Sequence, residues 1–121
     1  MEAYAGKKLV WTNLLSMDFD DTALNWQDFR AGVDMLPLHG DPAQGCSSAL
    51  LRYQPGAQIP RHLHVGMEFL LVLRGSQTDE RGHYQAGTFL INPASSSHEI
   101  FSEEGCVVLA VWEKPVKFIG K

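Results

Sequence analysis

Gly56-Ala57-Gln58-Ile59-Pro60-Arg61-His62-Leu63-His64-Val65-Gly66-Met67-Glu68 is the stretch on which the fold turns, and Gly75 closes it. Residues two apart on a strand point to the same side, so His62 and His64 set two imidazoles on one face, about 7 Å apart at Cα. Glu68, four residues beyond His64, is out of their reach on a straight strand. Gly66 is expected to take a positive φ and reverse the chain, which returns Glu68 beside the histidines on the neighbouring antiparallel strand. Three inward-facing ligands would then come from one hairpin. A fourth is expected from His98, which opens a strand after a loop containing Pro93. Three imidazoles and one carboxylate suit a divalent first-row metal. Zinc fits if the site stays four-coordinate; iron, manganese or nickel fits if water or substrate fills further positions. Imidazole ligation discourages magnesium and calcium. His39, beside a turn, and His83, flanking a hairpin tip, are read as structural.

Outward from this stretch, short strands recur with Gly and Pro between them. They are read at residues 8–15, 32–39, 47–54, 59–64 and 67–74, in a hairpin of 75–78 with 83–84, and at 87–91, 98–102, 106–112 and 115–119. Pro37 marks its strand as an edge, because proline cannot donate to a ladder. Residues 24–29 read as an irregular segment whose Trp26 and Phe29 cover one end of a core. Asp18, Asp20 and Asp21 read as a solvated turn, since no glycine and terminal glutamate of a calcium loop accompany them. No amphipathic helical period is present. About ten short strands without helices predict an all-β fold, an antiparallel barrel or jelly roll.

Residues 67–74 and 106–112 are apolar on both faces, whereas a barrel strand turns only one face inward. On the first of these, Phe69, Leu71 and Leu73 lie opposite Glu68, Leu70 and Val72. The outer set needs a cover, either the chain's own N-terminal strands or a second copy in a homodimer packed sheet against sheet.

The 121 residues suffice for one domain, 1–121, with an ordinary apolar fraction of 45 %. Ten Lys and Arg against 14 acidic residues give a net charge of -4, so no basic excess is available to neutralise phosphates, and a nucleic-acid partner is not expected. No apolar run approaches a membrane span of about 20 residues. Residues 1–8 lack the charged-then-apolar order of a secretion signal, and a cytoplasmic location is expected. Cys46 and Cys106 are too far apart for a CxxC motif and are read as reduced core thiols.

The first stretch resembles the first cupin motif in full: Gly56, five residues, His62, one residue, His64, three residues, Glu68, six residues, Gly75. Gly87, five residues, Pro93, four residues, His98 resembles the second, with Ser95 where a glycine is usual and Ser102 where an asparagine is usual. Across roughly residues 24–112 the chain is similar to the ChrR-type cupin domain. The similarity runs through Leu51-Arg52-Tyr53-Gln54-Pro55-Gly56-Ala57, Asp79-Glu80, Tyr84-Gln85-Ala86-Gly87-Thr88 and Ser96-Ser97-His98. Met67 and Phe69 replace a common glycine and a second glutamate. The resemblance implies a double-stranded β-helix, the cupin jelly-roll barrel, with His62, His64, Glu68 and His98 as metal ligands, zinc being favoured. It also implies one of two functions. One is a metal-dependent enzyme, a dioxygenase or isomerase acting on a small oxygenated molecule, with Leu70, Val72, Ile100 and Phe89 shaping an apolar pocket. The other is a metal- or ligand-sensing regulatory module. Without the separate N-terminal sigma-binding domain of ChrR-type anti-sigma factors, direct sigma-factor inhibition by this chain is not expected.

Overall fold

In the computed structural model, which describes residues 7–119, ten strands form one strongly curled antiparallel sheet. They are β1 (Gln27–Arg30), β2 (Val33–His39), β3 (Ser47–Tyr53), β4 (Ala57–Leu63), β5 (Glu68–Asp79), β6 (Gly82–Gln85), β7 (Phe89–Asn92), β8 (Ser97–Ser102), β9 (Cys106–Trp112) and β10 (Lys117–Phe118). The order β1-β2-β3-β9-β5 continues through β8 and β4 to β10, with β6 and β7 paired to β5. Only a single 3-10 turn, Leu14–Ser16, departs from this all-β plan among the described residues, and no helix is long and apolar enough to cross a membrane.

β5 organises the barrel. Its first half pairs with β9 and β7 in one face of the barrel, and its second half pairs with β6 and β8 in the other. The change of partners needs a bend, and the chain makes it with a bulge at Val72–Arg74 followed by Gly75 at φ 67. A Cβ on Gly75 would lie 2.0 Å from the carbonyl oxygen of Gly105, so only glycine fits. The bulge also shifts the alternation of side chains by one residue. Leu70 and Val72 face the interior before it, opposite Ala110 and Val108; after it Gly75 does, opposite Cys106.

Two cores result. The first fills the barrel with Leu51, Tyr53, Ile59, Leu70, Val72, Ile100 and Val108 among others. The second lies outside it, where Phe19, Leu36, Leu38, Leu50, Leu73 and Val107 pack together with Leu14, Met17, Leu24 and Trp26 against them. Burying those side chains under the N-terminal segment is what holds that segment on the sheet.

Several expectations are corrected. Residues 8–15 are not a strand: they run irregularly into the 3-10 turn, with Val10 and Leu15 exposed. Residues 27–29, within the segment read as irregular, belong to β1. Trp26 and Phe29 do not cover one core but divide between the two. The strands read at 67–74 and 75–78 are one strand, β5. Pro37 lies on a strand flanked on both sides, yet β1 pairs only as far as Met35, so the proline meets no ladder on that edge. Of the two thiols, both free, Cys106 is buried as expected and Cys46 is exposed. Residues 1–6 of the N-terminal reading lie outside the described residues. The acidic turn is as expected, with Asp18 and Asp21 carboxylates accepting from the amides two residues on.

Candidate metal centre

His62 and His98 sit directly opposite each other on β4 and β8, and His64 follows the last residue of β4. Pairing brings the rings together: centroids of His62, His64 and His98 lie 4.7–5.1 Å apart, and one ring nitrogen of each lies within 4.8 Å of the others. All three are buried, as is Glu68.

Glu68 reaches the cluster by a different route from the one its spacing suggests. β4 and β5 do not form a hairpin; residues 64–67 cross from one face of the barrel to the other, and Glu68 meets the histidines across the interior. Gly66 is not among the positive-φ residues. Its reason is space, since a Cβ there would lie 2.9–3.1 Å from Glu113 and Lys114 side-chain atoms. The expectation of a left-handed reversal is therefore corrected to one of close approach. A left-handed residue does occur at one departure from the second motif: Ser95 takes φ 77. Ser102 is fully buried and donates to the Ser76 carbonyl at 2.6 Å, so it serves the barrel wall.

Each imidazole is held from behind through Nδ1. His62 Nδ1 is 2.9 Å from the Pro60 carbonyl, which can only accept, so Nδ1 carries the proton. Ser96 Oγ donates to the Pro93 carbonyl at 2.6 Å and so accepts from His64 Nδ1 at 2.9 Å. His98 Nδ1 lies 3.0 Å from a carboxylate oxygen of Asp79. All three Nε2 atoms are thereby turned toward one point, His62 and His98 only 3.1 Å apart. His64 Nε2 is buried without a hydrogen bond, although Glu68 Oε1 lies 3.0 Å away; His98 Nε2 is 4.0 Å from the same oxygen.

Glu68 is clamped within one row of the sheet, where Asn92 and Trp112 are its cross-strand neighbours. Asn92 Nδ2 donates to Oε1 at 2.9 Å and Trp112 Nε1 to Oε2 at 2.7 Å. Burial alone would raise its carboxyl group, but His64 and the Trp112 bond outweigh that and hold it below the usual value. Burial drives His62 the other way for an imidazole, down to about 4, so it is neutral at neutral pH. Three converging ring nitrogens, with His62 neutral, and a clamped carboxylate make a set that a cation completes, and the residues fit a transition metal.

Beside the cluster is a cavity of about 20 Å³, room for about one water, lined by Tyr53, Ile59, Leu70 and Ile100 and closed by Val116 and Phe118. Outside Phe118 lies a pocket of about 210 Å³ that shares Phe29, Trp112, Val116 and Phe118 with it. Phe118 is held by two-residue pairing to β4 and by Arg30, whose guanidinium stands 3.7 Å over its ring. Of the expected pocket residues, Leu70 and Ile100 line the cavity and Val72 is in the surrounding core. Phe89 faces the opposite side of the sheet and is 58 % exposed.

Sequence reasoning missed the residues behind the ligands. Asn92 and Trp112 become visible only once the register of β7 and β9 on β5 is known. Asp79 fell in the tip of the hairpin read between 75–78 and 83–84. His83 does belong to that tip, its Nδ1 2.8 Å from Thr78 Oγ1.

Residues 16–116 match the family described as ChrR Cupin-like domain. The chain belongs to that family. It is 34 % identical over 98 residues to the anti-sigma-E factor ChrR of Cereibacter sphaeroides, an alignment covering 78 % of this chain and 45 % of ChrR. The cupin chain thus spans less than half of that relative's length. Among solved structures it is similar to the complex of Rhodobacter sphaeroides SigE with the anti-sigma ChrR, at TM-score 0.64 and 29 % identity, covering 78 % of this chain and 50 % of that one. It also resembles an acetylacetone dioxygenase from Acinetobacter johnsonii, at TM-score 0.74 and 17 % identity, covering 87 % and 77 %. At that identity the likeness shows the cupin fold alone.

Proposed function

We propose that this cupin, acting as a single domain over 1–121, binds one divalent transition metal through His62, His64, His98 and Glu68, and that the metal serves a regulatory or ligand-sensing module. The observation that carries the metal is the convergence of three Nε2 lone pairs, each Nδ1 being committed to an acceptor behind it. Zinc is favoured by a four-ligand set, and iron, manganese or nickel would leave positions for water or a small ligand. The one-water cavity and the 34 % identity to ChrR support a sensing role over turnover of a bulky substrate. A cytoplasmic location accords with the free thiols.

A second reading, a metal-dependent dioxygenase or isomerase, is supported by the outer pocket. Phe29, Trp112, Val116 and Phe118 line both its volume of about 210 Å³ and the cavity, and displacing Val116 and Phe118 would give a small oxygenated molecule access to the centre. A bound metal would supply Lewis-acid polarisation there. The protein's own contribution would be an apolar wall and a clamped carboxylate.

Metal analysis of freshly purified protein is expected to find close to one transition metal per chain, and His62→Ala with His98→Ala is expected to abolish it. Full occupancy in the double variant would refute the site. Oxygen uptake with small diketones, after loading with Fe(II), Mn or Zn, separates the two readings: turnover with any metal selects the enzyme.

A further inference from the structure

Asp79 lies against His98 on the side away from the cluster. Its Oδ2 is 3.0 Å from His98 Nδ1, and its side chain is only 8 % exposed although it closes a surface hairpin. The other oxygen, Oδ1, is fully engaged elsewhere. It accepts from the Arg81 amide at 2.8 Å, the Gly82 amide at 3.2 Å and the Tyr84 hydroxyl at 3.1 Å. The two oxygens therefore have separate tasks, one tying down the β5–β6 turn and one facing the cluster. The bulge in β5 makes this geometry. Glu68, Leu70 and Val72 point inward on even numbers; with one residue inserted at Val72–Arg74, inward positions become odd, and Asp79 turns to the interior.

We propose that Asp79 is the positioning residue of the metal centre, fixing His98 with its proton on Nδ1 so that Nε2 presents a lone pair to the ion. The inference rests on the metal-site reading above. Asp79 differs from what stands behind the other two imidazoles, a carbonyl at His62 and a hydroxyl at His64: it alone brings a negative charge. A carboxylate behind a ligating imidazole orients the ring, selects the tautomer and raises the basicity of the nitrogen that faces the metal. The turn that Oδ1 holds makes the carboxylate rigid, and Tyr84 adds a third restraint.

The divided carboxylate gives a test that a merely structural aspartate would fail. In Asp79→Asn the three donors hold the amide oxygen at the Oδ1 position, leaving the NH2 group against His98 Nδ1. That group can only donate, so it selects the tautomer with the proton on Nε2, the atom the metal needs. Asp79→Ala removes the turn bonds as well but leaves His98 free to choose. Metal affinity is to be measured by chelator competition, thermal stability by circular dichroism, and the His98 tautomer by nitrogen NMR of metal-free protein at mildly alkaline pH. The expected order for stability is wild type, then Asn, then Ala. For affinity the last two exchange places, Asp79→Asn losing roughly 10- to 100-fold, and His98 in that variant carries its proton on Nε2. An affinity order that follows stability, or an unchanged tautomer in Asp79→Asn, overturns the proposal. Should wild-type protein bind no metal, the metal-site reading fails by itself, and the tautomer comparison still decides what Asp79 does.

Discussion

The inner face of β5 carries Glu68, Leu70 and Val72, and its outer face carries Phe69, Leu71 and Leu73. Six residues of one strand thus serve two different environments. The inner set is enclosed entirely by the barrel, Val72 at 0 % exposure and Leu70 at 2 %. Cover on the outer set is graded. Leu73 is 3 % exposed beneath Phe19 and the N-terminal segment, Leu71 is partly covered by the same cluster, and Phe69 stacks flat on Phe89 at 6.3 Å near the sheet edge. An apolar pattern reports that a face is covered somewhere, and only tertiary structure reports by what.

The largest effect is expected from a charge placed on the closed side. Val72→Asp would bury a carboxylate with no partner among Leu70, Val108 and the rest of the first core. The expected loss is about 4 kcal/mol or more, a large part of the stability of a domain this size, and the variant should be unfolded or insoluble. Denaturant titration against wild type measures it; a loss under about 1 kcal/mol would mean that the barrel interior is wet.

A smaller effect follows from pH, and it too belongs to the inner face. Burial holds His62 near 4, against 6.5 in an unfolded chain. Between those values the unfolded chain takes up a proton that the folded one refuses. The stabilisation is therefore fully present above pH 6.5 and is lost as pH falls toward about 4. For metal-free protein the loss should amount to roughly 2–3 kcal/mol by thermal or denaturant unfolding across that window, and His62→Gln should flatten it. A slope equal in both proteins would show that His62 is solvated and outside the closed set.

The same contrast explains what the sequence could and could not tell. The four candidate ligands were legible because His-x-His spacing and a loop opened by proline are local signals, and the all-β plan because its strands are short and punctuated. How Glu68 arrives was not legible. A hairpin and a crossover both fit four residues, and Gly66 satisfies either a positive φ or a tight approach to Glu113. Asp79 was hidden by the bulge: counted from Glu68 with strict alternation it points outward, and only the inserted residue turns it to His98. Residues 8–15 misled in the opposite sense. Leu9, Val10 and Trp11 have strand-forming character, but no neighbour in the sheet offers them a ladder, and tertiary pairing outweighs propensity.

The smallest expected change concerns the part of the outer face that the chain leaves open. Phe89 and Ile91 on β7 are 58 % and 55 % exposed, beside Phe69 on the neighbouring strand, while Leu90 and Asn92 of β7 turn inward. A homodimer formed sheet against sheet is the reading proposed for this patch, since a second copy would bring the same apolar side chains to it. Replacing both Phe89 and Ile91 by Thr keeps the strand-forming character of β7 and removes apolar area that is already largely in water. Folding stability should then move by no more than about 1 kcal/mol. Assembly should respond instead: light scattering is expected to report dimers for wild type and monomers for the variant. A monomeric wild type would end the homodimer reading and leave the graded cover of β5 complete as it stands. A dimer unaffected by both substitutions would place the contact elsewhere. Either way the result separates apolar surface that the fold buries for itself, as at Leu73, from apolar surface that it leaves to a partner.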